Sequence, residues 1–258
     1  MNNNNHRKQI YEGKSKILYS GPNPDTIIVF FKDDATAFNN QKRGTFEDKG
    51  YLNNLISSFL MEQLKPIVPN HFISRLNERE QLVKRTDIIP LEVVFRQYAA
   101  GSFVKRMPYQ RGEDVRRDIH PELLKSESTL NRLSPLIEFC CKNDEFGDPL
   151  VSEGMITHFD WLTDDEIKLI KTYVLKIVHF LNTIFERYKI LLVDGKFEFG
   201  KNKYGRIMLA DDICPDGLRL WRQHKDGSFE SLDKDLFREG LGGETEAYRE
   251  VAKILNLI

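Results

Sequence analysis

Two acidic side chains, Glu198 and Asp211, carry the clearest chemical signal in the sequence. They flank a turn candidate, Asn202 to Gly205, and belong to strand-like runs over 190–199 and 206–213. If the chain folds back about Tyr204 and Gly205, Glu198 and Asp211 stand opposite each other. Opposed residues on an antiparallel pair have Cβ atoms about 5 Å apart, where two carboxylates repel. A divalent cation between them removes that repulsion, and hard oxygen ligands with room for water and phosphate suit magnesium. Alternation on the first strand puts Asp194, Lys196 and Glu198 on one face, with Phe197 and Phe199 turned toward the core. Asp212 is then expected to point away from Asp211. Two carboxylates on a solvated hairpin face would give the same pattern.

Several basic residues sit where they could meet phosphate. Glu12-Gly13-Lys14-Ser15-Lys16 reads as a glycine turn between strands, which lets the backbone and lysines approach an anion. It lacks the Walker A spacing, and an exposed hairpin explains it equally. Lys84 lies in an apolar strand, an environment that would hold its ammonium in a pocket. Arg96 ends a strand before the small residues Ala99 to Ser102, and its planar fork suits phosphate oxygens. Arg219 follows a Pro-Asp-Gly turn. Together these suggest a triphosphate site and a second phosphate site. The net charge of −1 disfavours a polyanionic nucleic-acid partner, whereas short local basic clusters suit small anions.

The elements that must position these residues read as an α+β fold, with mostly hairpin-like strands in two groups and segregated helices. Strands are expected over 26–31, 81–84 and 91–96, joined to the last by a Thr-Asp-Ile-Ile-Pro link. The polar run 33–40 is expected to be a loop. Residues 51–65 repeat apolar side chains at helical spacing, and Pro66 and Pro69 end them. Thr163 with Glu166 forms a capping box opening the longest helix, and 244–257 closes the chain as another. Residues 110–134 form a charged excursion, partly helical. No apolar run approaches the about 20 residues of a membrane span. The Asn-rich start, 1–5, reads as a disordered tail rather than a secretory signal. Cys140, Cys141 and Cys214 make a poor disulfide or zinc framework, which points to reduced thiols in the cytoplasm.

In order along the chain, the motifs resemble the SAICAR synthetase family, in its short bacterial form. The matching segments are Tyr-Glu-Gly-Lys-Ser-Lys (11–16), Lys-Asp-Asp-Ala-Thr-Ala-Phe-Asn (32–39), Pro-Leu-Glu-Val-Val (90–94), Arg96 with Ala-Ala-Gly-Ser (99–102), Lys-Asn-Asp (142–144) and Gly-Asp-Pro-Leu (147–150). Further on come Val-Asp-Gly-Lys-Phe-Glu-Phe-Gly (193–200), Ala-Asp-Asp-Ile-Cys-Pro-Asp (210–216), Arg-Leu-Trp (219–221) and Leu-Asp-Lys-Asp (232–235). Departures from the family pattern fall at Gly195, Asp212, Cys214 and Gln97-Tyr98, and the connection 107–136 is longer than usual.

The resemblance implies an ATP-dependent ligase of purine synthesis that joins L-aspartate to carboxyaminoimidazole ribonucleotide. It implies a small β-rich N-terminal lobe with one helix (1–88) and a larger α+β lobe (89–258), with ATP between them. Glu198 and Asp211 would hold magnesium. Lys14, Ser15, Lys16, Lys84 and Lys142 would face ATP, and Thr86, Asp87, Ile88 and Leu91 would take the adenine. Arg96, Ser102 and Arg219 would hold the ribonucleotide phosphate. Asp194 and Lys196 are expected to orient aspartate or manage its proton. The partners are small molecules, with neither nucleic acid nor membrane, and a homodimer is implied. A small-molecule kinase would use the same metal and phosphate sites; a nucleotide-sensing module would bind ATP without needing paired carboxylates.

Overall fold

The computed structural model describes residues 7–37, 42–118 and 133–258. The expected tail at 1–5 and much of the expected excursion lie outside the described residues. The chain opens with β1 (Gln9–Glu12), β2 (Lys16–Ser20) and β3 (Thr26–Phe31), an antiparallel meander. A separate ribbon pairs β4 (Asp34–Ala37) with β5 (Lys42–Thr45). Helix α1 (Lys49–Leu64) leads to β6 (Phe72–Arg75) and β7 (Glu80–Lys84), which complete a sheet of order β1-β2-β3-β7-β6.

The second sheet starts with β8 (Asp87–Arg96). After the short α2 (Ser102–Arg106) come the two-residue strands β9 (Arg117–Asp118) and β10 (Leu133–Ser134). Then follow β11 (Leu136–Cys141), β12 (Leu150–Val151), α3 (Glu153–His158) and α4 (Asp164–Phe185). Strands β13 (Ile190–Lys201), β14 (Ile207–Ala210), β15 (Leu218–Gln223) and β16 (Phe229–Ser231) precede α5 (Asp235–Glu239) and α6 (Glu244–Ile254). The order is β12-β11-β8-β13-β15-β16, with β14 also paired to β13. All these ladders are antiparallel, so the fold is α+β.

The long β13 is central because it is buried on both faces and shared among three partners, β8, β14 and β15. Phe197 and Phe199 are each 1% exposed and Phe197 stacks on Phe95, which fixes the opposite face toward the cleft. Against this sheet packs α4. Thr163 accepts from the Glu166 N–H and Glu166 reaches back to the Thr163 N–H, so the expected capping box forms. Three acids in its first turn suit the positive end of the helix dipole. Its stripe from Ile167 through Val174 to Leu181 enters the main core.

Helix α1, counted with the N-terminal part in the sequence reading, enters the same main core through Leu52, Ile56, Leu60 and Leu64. Each is at most 1% exposed, a burial contributing about 1.5–3 kcal/mol per side chain. The first sheet keeps only a small cluster of its own, Val29, Phe31 and Val83.

Two elements differ from expectation. The polar run over 33–40 contains β4, because pairing with β5 supplies the order that composition did not announce. The link before Leu91 is not a loop: β8 begins at Asp87, since Gly200 and Lys201 of β13 pair with Ile88 and Asp87. Among the described residues, no helix is long and apolar enough to cross a membrane.

Candidate active site

The hairpin β13–β14 sets the metal candidates. Its register differs by one from the expected one: Glu198 faces Ala210, and Lys201 faces Ile207. A slip of one residue turns side chains to the opposite face. Asp211 nevertheless returns to the cleft, because its φ of 56° is left-handed and kinks the chain just past β14. Glu198 and Asp211 both line one cleft of about 480 Å³ between the sheets. Asp212 does not point away as expected. Lys16 bonds Asp211 and also Asp212 Oδ2, the latter at 2.8 Å.

Lysines surround these carboxylates. Lys142 bonds Glu198. Lys196 bonds Glu92 and lies 3.9 Å from Glu198. Glu92 on β8 is directly opposite Glu198 on β13, so the lysines offset a like-charge pair. Burial pushes the Glu198 carboxyl up, and the charge of Asp211 adds to it. Burial also works against ionised Asp211, but Lys16 together with Lys196 and Lys142 outweighs it and holds that carboxyl low. For Asp212 burial wins, helped by Asp211, and the pKa rises. Burial opposes charge on Lys196, yet Glu92 and Glu198 push its pKa up, so it stays a cation.

Among the described residues no three His, Cys, Asp or Glu side chains cluster as a self-sufficient metal cage. Two carboxylates with lysines around them are still a donor set that suits magnesium when phosphates complete its shell. The residues present therefore fit that ion.

A second group forms across three neighbouring strands. Register sets Asp194 of β13 beside Arg96 of β8 and Arg219 of β15. Asp194 accepts from both, at 2.8 Å from Arg96 and 2.5 Å from Arg219. Arg96 also donates to Glu138 (2.6 Å) and Ser102 (3.4 Å), and Arg219 to Asp235. Asp194 thus braces two guanidinium groups instead of standing free beside Lys196. Gly101 lies against Arg219: a Cβ there would come within 2.8 Å of the guanidinium, and its φ is +55°. The structure therefore brings Arg96, Ser102, Arg219 and Asp194 together.

The remaining sequence candidates divide. Lys14, Ser15, Lys16, Thr86, Ile88 and Lys142 line the same cleft as Glu198, with Leu18, Val29 and Val83 as an apolar wall. Lys14 pairs with Asp144 at 2.6 Å. Lys84 is not held in that cleft. It is exposed, donates to the Asn70 carbonyl and lines a separate hollow with Asp87, Lys201 and Lys203. Leu91 is 1% exposed in the core, because β8 turns its side chain away from the cleft. A further hollow of about 650 Å³ adjoins the cleft at Tyr11, Gly13, Lys14 and Asp144, and is lined also by Lys32 and Arg43.

Sequence reasoning missed three contributors. Glu92 was visible as a lone acid inside the apolar run Leu91 to Val94. His71 lies in the cleft with Nε2 2.8 Å from the Asp211 carbonyl; burial lowers its pKa to about 4. Lys49 is 2% exposed and pairs with Asp216 at 2.5 Å, to which Tyr248 donates at 2.6 Å. That triad joins α1, the turn before β15 and α6, and no local pattern announces it.

A family model described as SAICAR synthetase matches residues 9–255. The phosphoribosylaminoimidazole-succinocarboxamide synthase of Sphingopyxis alaskensis is 48% identical over 256 residues, covering 98% of this chain and 92% of that relative. Among solved structures, the phosphoribosylaminoimidazole-succinocarboxamide synthase from Ehrlichia chaffeensis superposes with a TM-score of 0.86 at 47% identity, covering 97% of this chain and 99% of that one. A type-2 SAICAR synthetase in complex with ADP gives 0.82 at 37% identity, over 95% and 96% of the two chains.

Proposed function

Because the chain belongs to the SAICAR synthetase family, we propose that it acts as an ATP-dependent ligase, joining L-aspartate to the carboxylate of carboxyaminoimidazole ribonucleotide to give SAICAR, ADP and phosphate. The observation that carries the site assignment is the single cleft in which Glu198 and Asp211 meet Lys16, Lys142 and Lys196. The ATP complex is read into this cleft, with the base against Leu18, Val29, Val83, Thr86 and Ile88 and the phosphates toward Lys14, Ser15, Lys16 and Lys142. Lys84 and Leu91 lie outside the ATP contacts, the first beside a separate hollow and the second in the core, and Asp87 faces that same hollow.

The chemistry follows from the substrates. A carboxylate resists an amine because oxide is a poor leaving group. The γ-phosphoryl group moves to a carboxylate oxygen, its bond to ADP breaks, and an acyl phosphate forms. The aspartate nitrogen then bonds the acyl carbon, phosphate leaves with its oxygen, and the nitrogen gives up a proton. Positioning three anions is most of the work. Glu198 and Asp211 would hold magnesium, which when bound offsets phosphate charge. Lys196 stays charged, so its role is to orient an anionic substrate rather than to accept the proton. Asp194 keeps Arg96 and Arg219 aligned for the ribonucleotide phosphate, with Ser102 beside them. The hollow lined by Lys32 and Arg43 gives a small third substrate access to the phosphate end.

The free thiols Cys140, Cys141 and Cys214 support a reducing, cytoplasmic setting, and a homodimer is carried over from the family. An ADP-release assay varying ATP, ribonucleotide and aspartate separately tests the reaction. ADP release should require all three. Undiminished ADP release and a stable phosphorylated ribonucleotide without aspartate would show a kinase instead.

A further inference from the structure

His71 lies between α1 and β6 in a segment stitched to both sheets. Its N–H donates to the Leu209 carbonyl at 3.0 Å, and its own carbonyl accepts from the Lys84 N–H at 2.7 Å. The Leu209 N–H donates in return to the Pro69 carbonyl at 2.9 Å. The backbone around His71 is therefore fixed from two directions. The residue is 5% exposed and lines the cleft. Nε2 sits 2.8 Å from the Asp211 carbonyl oxygen. A carbonyl only accepts, so Nε2 carries the proton and donates it.

Asp211 is the residue whose left-handed backbone recovers the cleft after the hairpin register has turned it away. Aspartate enters that conformation more readily than most L-residues, still at a cost that its surroundings must offset. The peptide carbonyl leaving Asp211 is one of the groups that must be held, and His71 is the side chain bonded to it.

We propose that His71 is a positioning residue: by donating to the Asp211 carbonyl it locks the kink that aims the Asp211 carboxylate at Lys16 and into the cleft shared with Glu198. This role rests on the reading of Glu198 and Asp211 as metal carboxylates. Groups that orient a ligand without touching the metal typically change its affinity about 10–100-fold when removed.

The test uses Mn²⁺ as the probe, with saturating ADP and the full chain. Free Mn²⁺ is followed by electron paramagnetic resonance for His71→Leu, His71→Asn and His71→Gln. A glutamine amide nitrogen reaches the Nε2 position, and an asparagine amide stops about one bond short of it. His71→Leu and His71→Asn should weaken Mn²⁺ binding about tenfold or more, and His71→Gln should stay within about threefold of the parent. KM for the ribonucleotide should not move in any of them, because Arg96 and Arg219 are unaffected. Melting curves identify any variant that fails to fold; if His71→Leu does, the Asn and Gln pair decides, since both are polar and differ in reach. Unchanged Mn²⁺ binding in a folded His71→Asn, or equal weakening in His71→Asn and His71→Gln, would overturn the proposal. Asp211→Asn separates the two levels of inference. If it loses Mn²⁺ while His71→Asn keeps it, only the role of His71 fails; if it too binds normally, the metal reading fails.

Discussion

Glu198 is held where its charge is costly, and that is informative at the level of single residues. Burial and Asp211 both favour its protonated form, while Lys142 and Lys196 oppose them. Replacing it by glutamine keeps the volume and removes the oxygen anion. Glu198→Gln should lower turnover by about 10²–10³-fold or more without moving the melting temperature; a coupled ADP assay beside a thermal melt checks both parts. Asp216 makes the opposite case. Burial works against its charge, but Lys49, Lys234 and Tyr248 prevail and hold its carboxyl well below the usual range. Asp216→Asn leaves Lys49 buried without its counter-charge, a loss of about 3–5 kcal/mol in urea unfolding near neutral pH. The folded pKa lies below the unfolded value of about 3.9, so this contribution is complete above about pH 4 and fades as pH falls further. The gap between parent and variant should therefore narrow only on the acid side. Of these residues, Glu198 was legible as a side chain of the cleft face from alternation, although the direct opposition to Asp211 expected of it does not form. The Lys49–Asp216–Tyr248 triad was not, because its members are distant in sequence and meet only through packing.

At the scale of elements, long periodic segments were the most legible. The stripe and capping box of α4 appear as the spacing required, and Thr26–Phe31 is a strand with the expected ends. Register was harder. Asn202 to Gly205 does form the turn, yet five residues, 202–206, separate Lys201 from its partner Ile207 where the expected fold leaves six before Met208, and that one-residue difference changed every opposed pair. Asp211 reached the cleft only through its left-handed backbone, which no alternation rule contains. The ribbon β4–β5 and the start of β8 were misread because pairing partners, rather than local composition, order them. Register also made the Arg96–Asp194–Arg219 row, and the loop carrying Gly101 fits around it. Gly101→Ala would put a methyl group against the Arg219 guanidinium at a φ of 55° and ψ of −127°, a sparsely populated region that costs an L-residue about 1–3 kcal/mol. It should raise KM for the ribonucleotide about tenfold or more while leaving KM for ATP unchanged, measured in initial-rate assays.

At the scale of the whole molecule, the cleft is walled by both sheets, so a nucleotide bound there ties them together. ADP with magnesium at about 100 times its dissociation constant should stabilise the protein by about 2.7 kcal/mol. For a chain of this size that is a rise of about 5–10 °C in melting temperature, readable by differential scanning fluorimetry, and Asp211→Asn should lose most of it. The way the sheets are joined limits how that nucleotide can enter. Helix α1 belongs to the main core and also packs beside β6 and β7, so the two halves share a beam and have no free pivot. Swinging them apart would tear Leu52, Ile56 and Leu60 from their neighbours. What can lift cheaply is the edge strand β1, exposed along its length, whereas β2 is laddered to β3 and held by Lys16 to Asp211 and Asp212. Amide hydrogens of β1 should therefore exchange with deuterium well before those of β7 and β13, and bound ADP should slow β1 most. The enzyme would then admit its nucleotide as an envelope does, by raising a flap while the pocket keeps its shape.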